Sequence, residues 1–87
     1  MSRLEKLKAR LKTLPKDFTY DETKSLLNKL GFEVSNKGKT SGSRVEFQRQ
    51  SDGVTIFCHK PHPSNVMKIA FLKELLATLK ESKDIEE

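Results

Sequence analysis

Cysteine and uninterrupted apolar sequence are what this chain has least of. One cysteine in 87 residues cannot close an internal disulfide. Cys58 follows Val54 and Ile56 on an alternating strand pattern, so it reads as a small buried hydrophobe rather than a reactive thiolate. No apolar run approaches the ~18–20 residues of a membrane span. No apolar stretch follows the basic N-terminal residues either, so no secretory signal is expected and the chain reads as cytoplasmic. Gly-rich phosphate loops, G-x-S-x-G and paired-carboxylate signatures are all missing, as are internal repeats and low-complexity tracts. The length fits one domain. Such a domain buries about 60–65% of its unfolded surface, which gives one modest core and no deep substrate cavity.

Charge is abundant by contrast. Charged residues make up 33% of the chain, hydrophobic ones 34%, and the net charge is +5. Its distribution is uneven. Residues 1–16 carry six Lys/Arg against one Glu, and residues 32–51 carry Lys37, Lys39, Arg44 and Arg49 against Glu33 and Glu46. The tail Asp84-Ile85-Glu86-Glu87 is acidic. The charges of the first segment read as a solvated helix face. A basic middle hairpin suits a polyanionic partner.

The apolar pattern orders the elements. Ser2 with Glu5 makes a capping box, and Leu4, Leu7, Leu11 and Leu14 recur at helical spacing until Pro15. Thr19 with Glu22 makes a second box, opening a helix over 20–30 that turns Leu26, Leu27 and Leu30 inward and stops at Gly31. Three alternating stretches follow, at 32–37, 43–49 and 54–59, the last two joined through Asp52-Gly53, a strong hairpin signal. Residues 36–42 form a longer polar loop. Ser64 or Asn65 is expected to cap a last helix running to about Leu79, with Ile69, Leu72, Leu76 and Leu79 on one stripe and Val66 and Leu75 beside it. The order α-α-β-β-β-α predicts an α+β fold with a three-stranded antiparallel sheet. Helices cover the face carrying Phe32, Val34, Val45, Phe47, Val54, Ile56 and Cys58. The other face displays Glu33, Ser35, Lys37, Arg44, Glu46, Gln48, Thr55, Phe57 and His59.

That open face holds the candidate chemistry. The second strand starts at Arg44 and the antiparallel third strand ends at His59, so the two lie side by side, with Lys60, His62 and the 36–42 loop at the same edge. A cation beside an imidazole is what metal-free RNA cleavage requires. The imidazole moves a proton at the ribose 2′-hydroxyl or the leaving oxygen, and the cation stabilises the phosphorane charge. The same residues also fit a polar strand end beside a solvated charge. His59 and His62 form H-x-x-H, but Pro61 kinks the segment and no third ligand is near, so neither metal nor other cofactor is expected. Phe57 is placed either to stack on a base or to pack against the first helix.

The segments "LLNKLGFEVSNKGKTSGSRVEF" and "VTIFCHKPHPSNVMK" resemble the HicA-type toxins of bacterial toxin–antitoxin pairs. The shared order is a helix ending in Leu-Gly-Phe, Gly-Ser-x at a strand start, and a strand ending in His before a polar turn. The resemblance covers about residues 20–80. It implies a double-stranded-RNA-binding-domain-like α-β-β-β-α unit at 17–82, with residues 1–16 a helical extension and 83–87 an acidic tail. It further implies mRNA cleavage by an endoribonuclease and inhibition by a HicB-type antitoxin. Arg44 stands where most members carry a histidine, which marks a variant branch and shifts the expected proton transfer to His59, with His62 as an auxiliary. Arg44 is then the transition-state cation, and Lys37, Lys39, Lys60 and Phe57 are RNA contacts. A non-catalytic RNA-binding module, an inactive toxin homologue that binds an antitoxin-like protein, and a structural partner with a basic surface are the alternatives.

Overall fold

Local signals set the first two helices. The computed structural model describes residues 2–35, 44–61 and 64–86. Helix α1 (Arg3–Lys12) is capped by Ser2, whose hydroxyl accepts from the Glu5 N–H, and it buries Leu7 and Leu11. It stops short of the predicted Leu14. Pro15 disfavours helical geometry in the residue before it, and Leu14 takes φ +50°. Helix α2 (Tyr20–Lys29) carries the full capping box between Thr19 and Glu22 and buries Tyr20, Thr23, Leu26 and Leu27. Gly31, at φ +94°, donates to the Asn28 carbonyl, and the Phe32 N–H reaches back to Leu27 at 2.9 Å. This pair of bonds is a Schellman stop, and it delivers Phe32 into the core.

Strands β1 (Glu33–Ser35), β2 (Arg44–Gln48) and β3 (Thr55–His59) form one antiparallel sheet in that order. Of the described residues in the alternating stretches, Phe32, Arg49 and Val54 lie outside the strands. The β2–β3 hairpin closes where Arg49 N–H donates to Val54 and Gly53 N–H to Arg49, at 3.0 and 2.9 Å. Gly53 supplies the left-handed turn residue at φ +73°. Val45 faces Cys58 and Phe47 faces Ile56, and all four join the helical leucines in one core. Val34 shares this face through its pairing with Phe47, yet it lies on an edge strand and stays 40% exposed.

The last helix departs most from expectation. Helix α3 spans Ile69–Glu81, with Lys68 at its N-cap and no side-chain cap. Ser64 and Asn65 do not start it because the residues after them pair with the α1–α2 connection. Tyr20 N–H donates to Asn65 and Met67 N–H to Phe18, both at 2.8 Å, around a bridge between Thr19 and Val66. That pairing uses residues 65–67 as extended chain and delays the helix. Its buried stripe is Leu72, Leu75 and Leu79, with Leu76 only partly buried. Helix α1 packs on α2 and α3. Beyond α3 the chain turns back at Lys83, with φ +64°, and buries Ile85. Among the described residues no helix is long and apolar enough to cross a membrane.

Candidate functional site

The hairpin register decides what meets on the open face. Because β2 and β3 are antiparallel, the first residue of one stands opposite the last of the other, and Arg44 pairs with His59. Glu46 stands opposite Phe57 and Gln48 opposite Thr55. Directly opposed residues have Cβ atoms about 4.5–5.5 Å apart, close enough for a guanidinium and an imidazole to act on one group between them. Arg44 and His59 are both exposed. Phe57 is 50% exposed on this face, and the Arg44 guanidinium lies 4.5 Å from its ring centroid. A cation over an aromatic face is held in place without a carboxylate to neutralise it.

The surrounding predicted residues are brought together only in part. Lys60 follows His59, with its Nζ 5.9 Å from the Tyr20 ring, at the edge where β3 leaves the sheet. Lys37, Lys39 and His62 lie outside the described residues. Cys58 points the other way and is buried. Burial pushes its thiol up to about 11, so it is a protonated core residue at neutral pH. Among the described residues no group of three or more His, Cys, Asp or Glu is placed to hold a metal ion.

Two features escape sequence reasoning. The first is internal neutralisation of two of the arginines. Arg49 is 8% exposed and donates to Asp52 at 2.7 and 3.0 Å, to Asp84 through two bonds of 2.8 Å, and to the Leu30 carbonyl at 3.0 Å. The guanidinium holds both carboxyls below their usual range. Arg10 likewise pairs with Glu22 at 2.7 Å and Asp17 at 2.9 Å, and its hydrogen bond holds the Glu22 carboxyl low. Arg49 is closed to an outside anion, whereas Arg10 is neutralised by its carboxylates but its side chain stays 36% exposed at the surface. The Asp52 spacing was a local signal for the first; Asp84 is distant in sequence.

The second is a groove of about 540 Å³ between β3 and α3. Phe57 and His59 form one wall, with Pro61 beyond them, and Ala70, Phe71 and Glu74 of α3 form the other. Phe71 lies off the stripe expected to be buried in that helix, which was the available signal.

A family model described as HicA toxin of bacterial toxin–antitoxin matches residues 20–82, from the first residue of α2 to the one after α3. No curated protein and no solved structure matches the chain.

Proposed function

The chain belongs to the HicA family of bacterial toxin–antitoxin systems, and on that premise we propose that it is a toxin that cleaves mRNA as a metal-independent endoribonuclease. The observation that carries this reading is the pairing of Arg44 with His59 on an open sheet face. The His59 imidazole takes the proton from a ribose 2′-hydroxyl, or returns one to the leaving 5′-oxygen. The Arg44 guanidinium, unpaired with carboxylate among the described residues, stabilises the negative charge that builds on the phosphorane. Phe57, beneath Arg44, offers a stacking surface for a neighbouring base. Lys37, Lys39 and Lys60 steer the phosphate backbone, and His62 is an auxiliary proton carrier.

The site has no lid of its own among the described residues, and a toxin of this family has an antitoxin to restrain it. A HicB-like protein fits that role in the cytoplasm by setting carboxylates against Arg44 and Lys60 around an apolar anchor on Phe57. The test is direct: purified protein, structured and unstructured mRNA, and excess EDTA. Cleavage that persists in EDTA supports the reading, and cleavage that requires added divalent metal overturns it. A second reading, an RNA-binding module without cleavage, is favoured by the parking of Arg44 on Phe57. It wins if RNA binds with strong salt dependence and stays intact.

A further inference from the structure

We propose that the groove between β3 and α3 is a nucleobase subsite, shaped for a guanine flanking the scissile phosphate; this rests on the RNA-cleaving reading above. The first argument is aromatic exposure. Of the five phenylalanines, Phe18, Phe32 and Phe47 are at most 1% exposed. Phe57 and Phe71 are the two that reach the surface, and both line this groove. Single-stranded RNA is recognised by splaying bases onto such rings.

The second argument is continuity. Phe57 and His59 belong at once to the open face and to the groove wall. An RNA strand with a phosphate between Arg44 and His59 therefore has one adjacent nucleotide at the mouth of the groove. Lys60 and Lys68 stand along the same lining, where they meet the phosphates on either side of an inserted base.

The third argument selects the base. Glu74 is the one carboxylate among the lining residues. An apolar side chain from a protein partner would strip water from that carboxylate and give it no donor, which is unfavourable. A guanine edge presents two adjacent N–H donors, from N1 and N2, that match the two oxygens of a carboxylate as a bidentate pair. Uracil, cytosine and adenine each set an acceptor beside their donor on that edge, which faces one carboxylate oxygen unfavourably.

The experiment uses 2′-O-methyl RNA hexamers, whose blocked hydroxyl prevents cleavage, with one G, A, C or U in a uniform background. Wild-type protein is expected to bind the G hexamer roughly tenfold more tightly than the others, within the discrimination that one bidentate side-chain–base pair supplies. Glu74→Gln, isosteric and solvent-facing, should level that preference. Ala70→Phe, which fills the groove from an exposed helix position, should remove both the preference and the tenfold gain. A parallel digest of ordinary RNA separates the two readings. If RNA is cut but neither variant changes base preference, the subsite is wrong and the cleavage reading stands. If the preference behaves as expected and no RNA is cut, the subsite stands and cleavage falls. Loss of antitoxin binding in Ala70→Phe, with RNA preference unchanged, assigns the groove to the protein partner and overturns the proposal.

Discussion

Arg44 and Arg49 sit five positions apart on the same hairpin, and each places its guanidinium 4.5 Å from a phenylalanine ring. They otherwise differ in every respect that matters. Arg49 is buried against Phe32, pairs with two carboxylates and caps the α2 stop at the Leu30 carbonyl. It joins the hairpin turn, the end of α2 and the segment after α3 in one node. Arg44 is exposed over Phe57 and faces an imidazole across the strands. One cation is used up by the fold; the other is held in place but left available. A tally of basic residues counts them equally, while only the second can meet a phosphate.

The largest expected effect lies at the available end of this comparison. His59→Ala should lower RNA cleavage by about 10²–10⁴-fold, the range for a general acid or base, measured as initial rate on a fixed RNA. Arg44→Ala should lower it strongly as well by removing the charge proposed to stand opposite the phosphorane, whereas Arg44→His, which places there the histidine that the resemblance implies, should keep or raise it. Stability should fall only modestly in Arg44→Ala, since an exposed cation–π contact contributes about 0.5–1 kcal/mol, a melting shift of several degrees in a domain of this size. If Arg44→Ala unfolds the protein, the two arginines are not different in kind.

Arg49→Met gives the converse result. It keeps an apolar stem beside Gly31 and removes the guanidinium that lies over Phe32, leaving Asp84 and Asp52 without their partner. Breaking a buried pair costs about 3–5 kcal/mol. The lower end, about 3 kcal/mol, applies here because Asp52 is 41% exposed and solvent takes over part of its charge. Denaturant unfolding measures it, and specific activity per folded molecule should be unchanged.

The difference between these two residues shows what the sequence could and could not convey. Alternation along 44–48 and 55–59, with Asp-Gly between them, determines the register, so the Arg44–His59 pairing is legible from local pattern alone. The Ser2 cap, the Thr19–Glu22 capping box and the Gly31 stop are legible for the same reason, although at α1 only the Ser2 half of the expected box forms. Arg49 is not, because its deepest partner lies 35 residues away and only the packed chain brings them together. The delayed start of α3 is another nonlocal result. Ser64 and Asn65 look like caps, but backbone pairing with Phe18 and Tyr20 holds the following residues extended. The β3–α3 groove belongs to neither element by itself, so no single-segment pattern could reveal it.

Acid titration sharpens the comparison by a smaller amount. Asp84, Asp52 and Glu22 have carboxyls depressed in the folded state, first through hydrogen bonds from Arg49 or Arg10. A depressed carboxyl contributes stability that is fully present above its unfolded value, about 4, and is lost as pH falls through the folded one. Wild-type stability should therefore be level near neutrality and drop below about pH 4. Arg49→Met should lose much of that slope and keep the part due to Glu22. Arg44→Ala should titrate like wild type. An identical acid slope in Arg49→Met would mean that the node is not what holds those carboxyls ionised.

The smallest effect tests how Asp84 reaches Arg49. Helix α3 ends in a Schellman arrangement, with Lys83 N–H donating to Lys80 at 3.1 Å and Asp84 N–H to Leu79 at 2.8 Å. The turn residue is Lys83, at φ +64°, where a side chain is strained by about 1–2 kcal/mol and glycine is the usual occupant. Ser82 supports the same turn by donating from its hydroxyl to Asp84. Lys83→Gly relieves the strain but gives the unfolded chain more freedom, so a net gain of about 0.5–1 kcal/mol is expected. The gain should appear in thermal unfolding. It should persist in Arg44→Ala, which has no part in the turn. It should shrink in Arg49→Met, where Asp84 no longer has a cation to be delivered to and the turn is less tightly imposed. Equal gains in all three backgrounds would show that the turn forms independently of the Arg49 node.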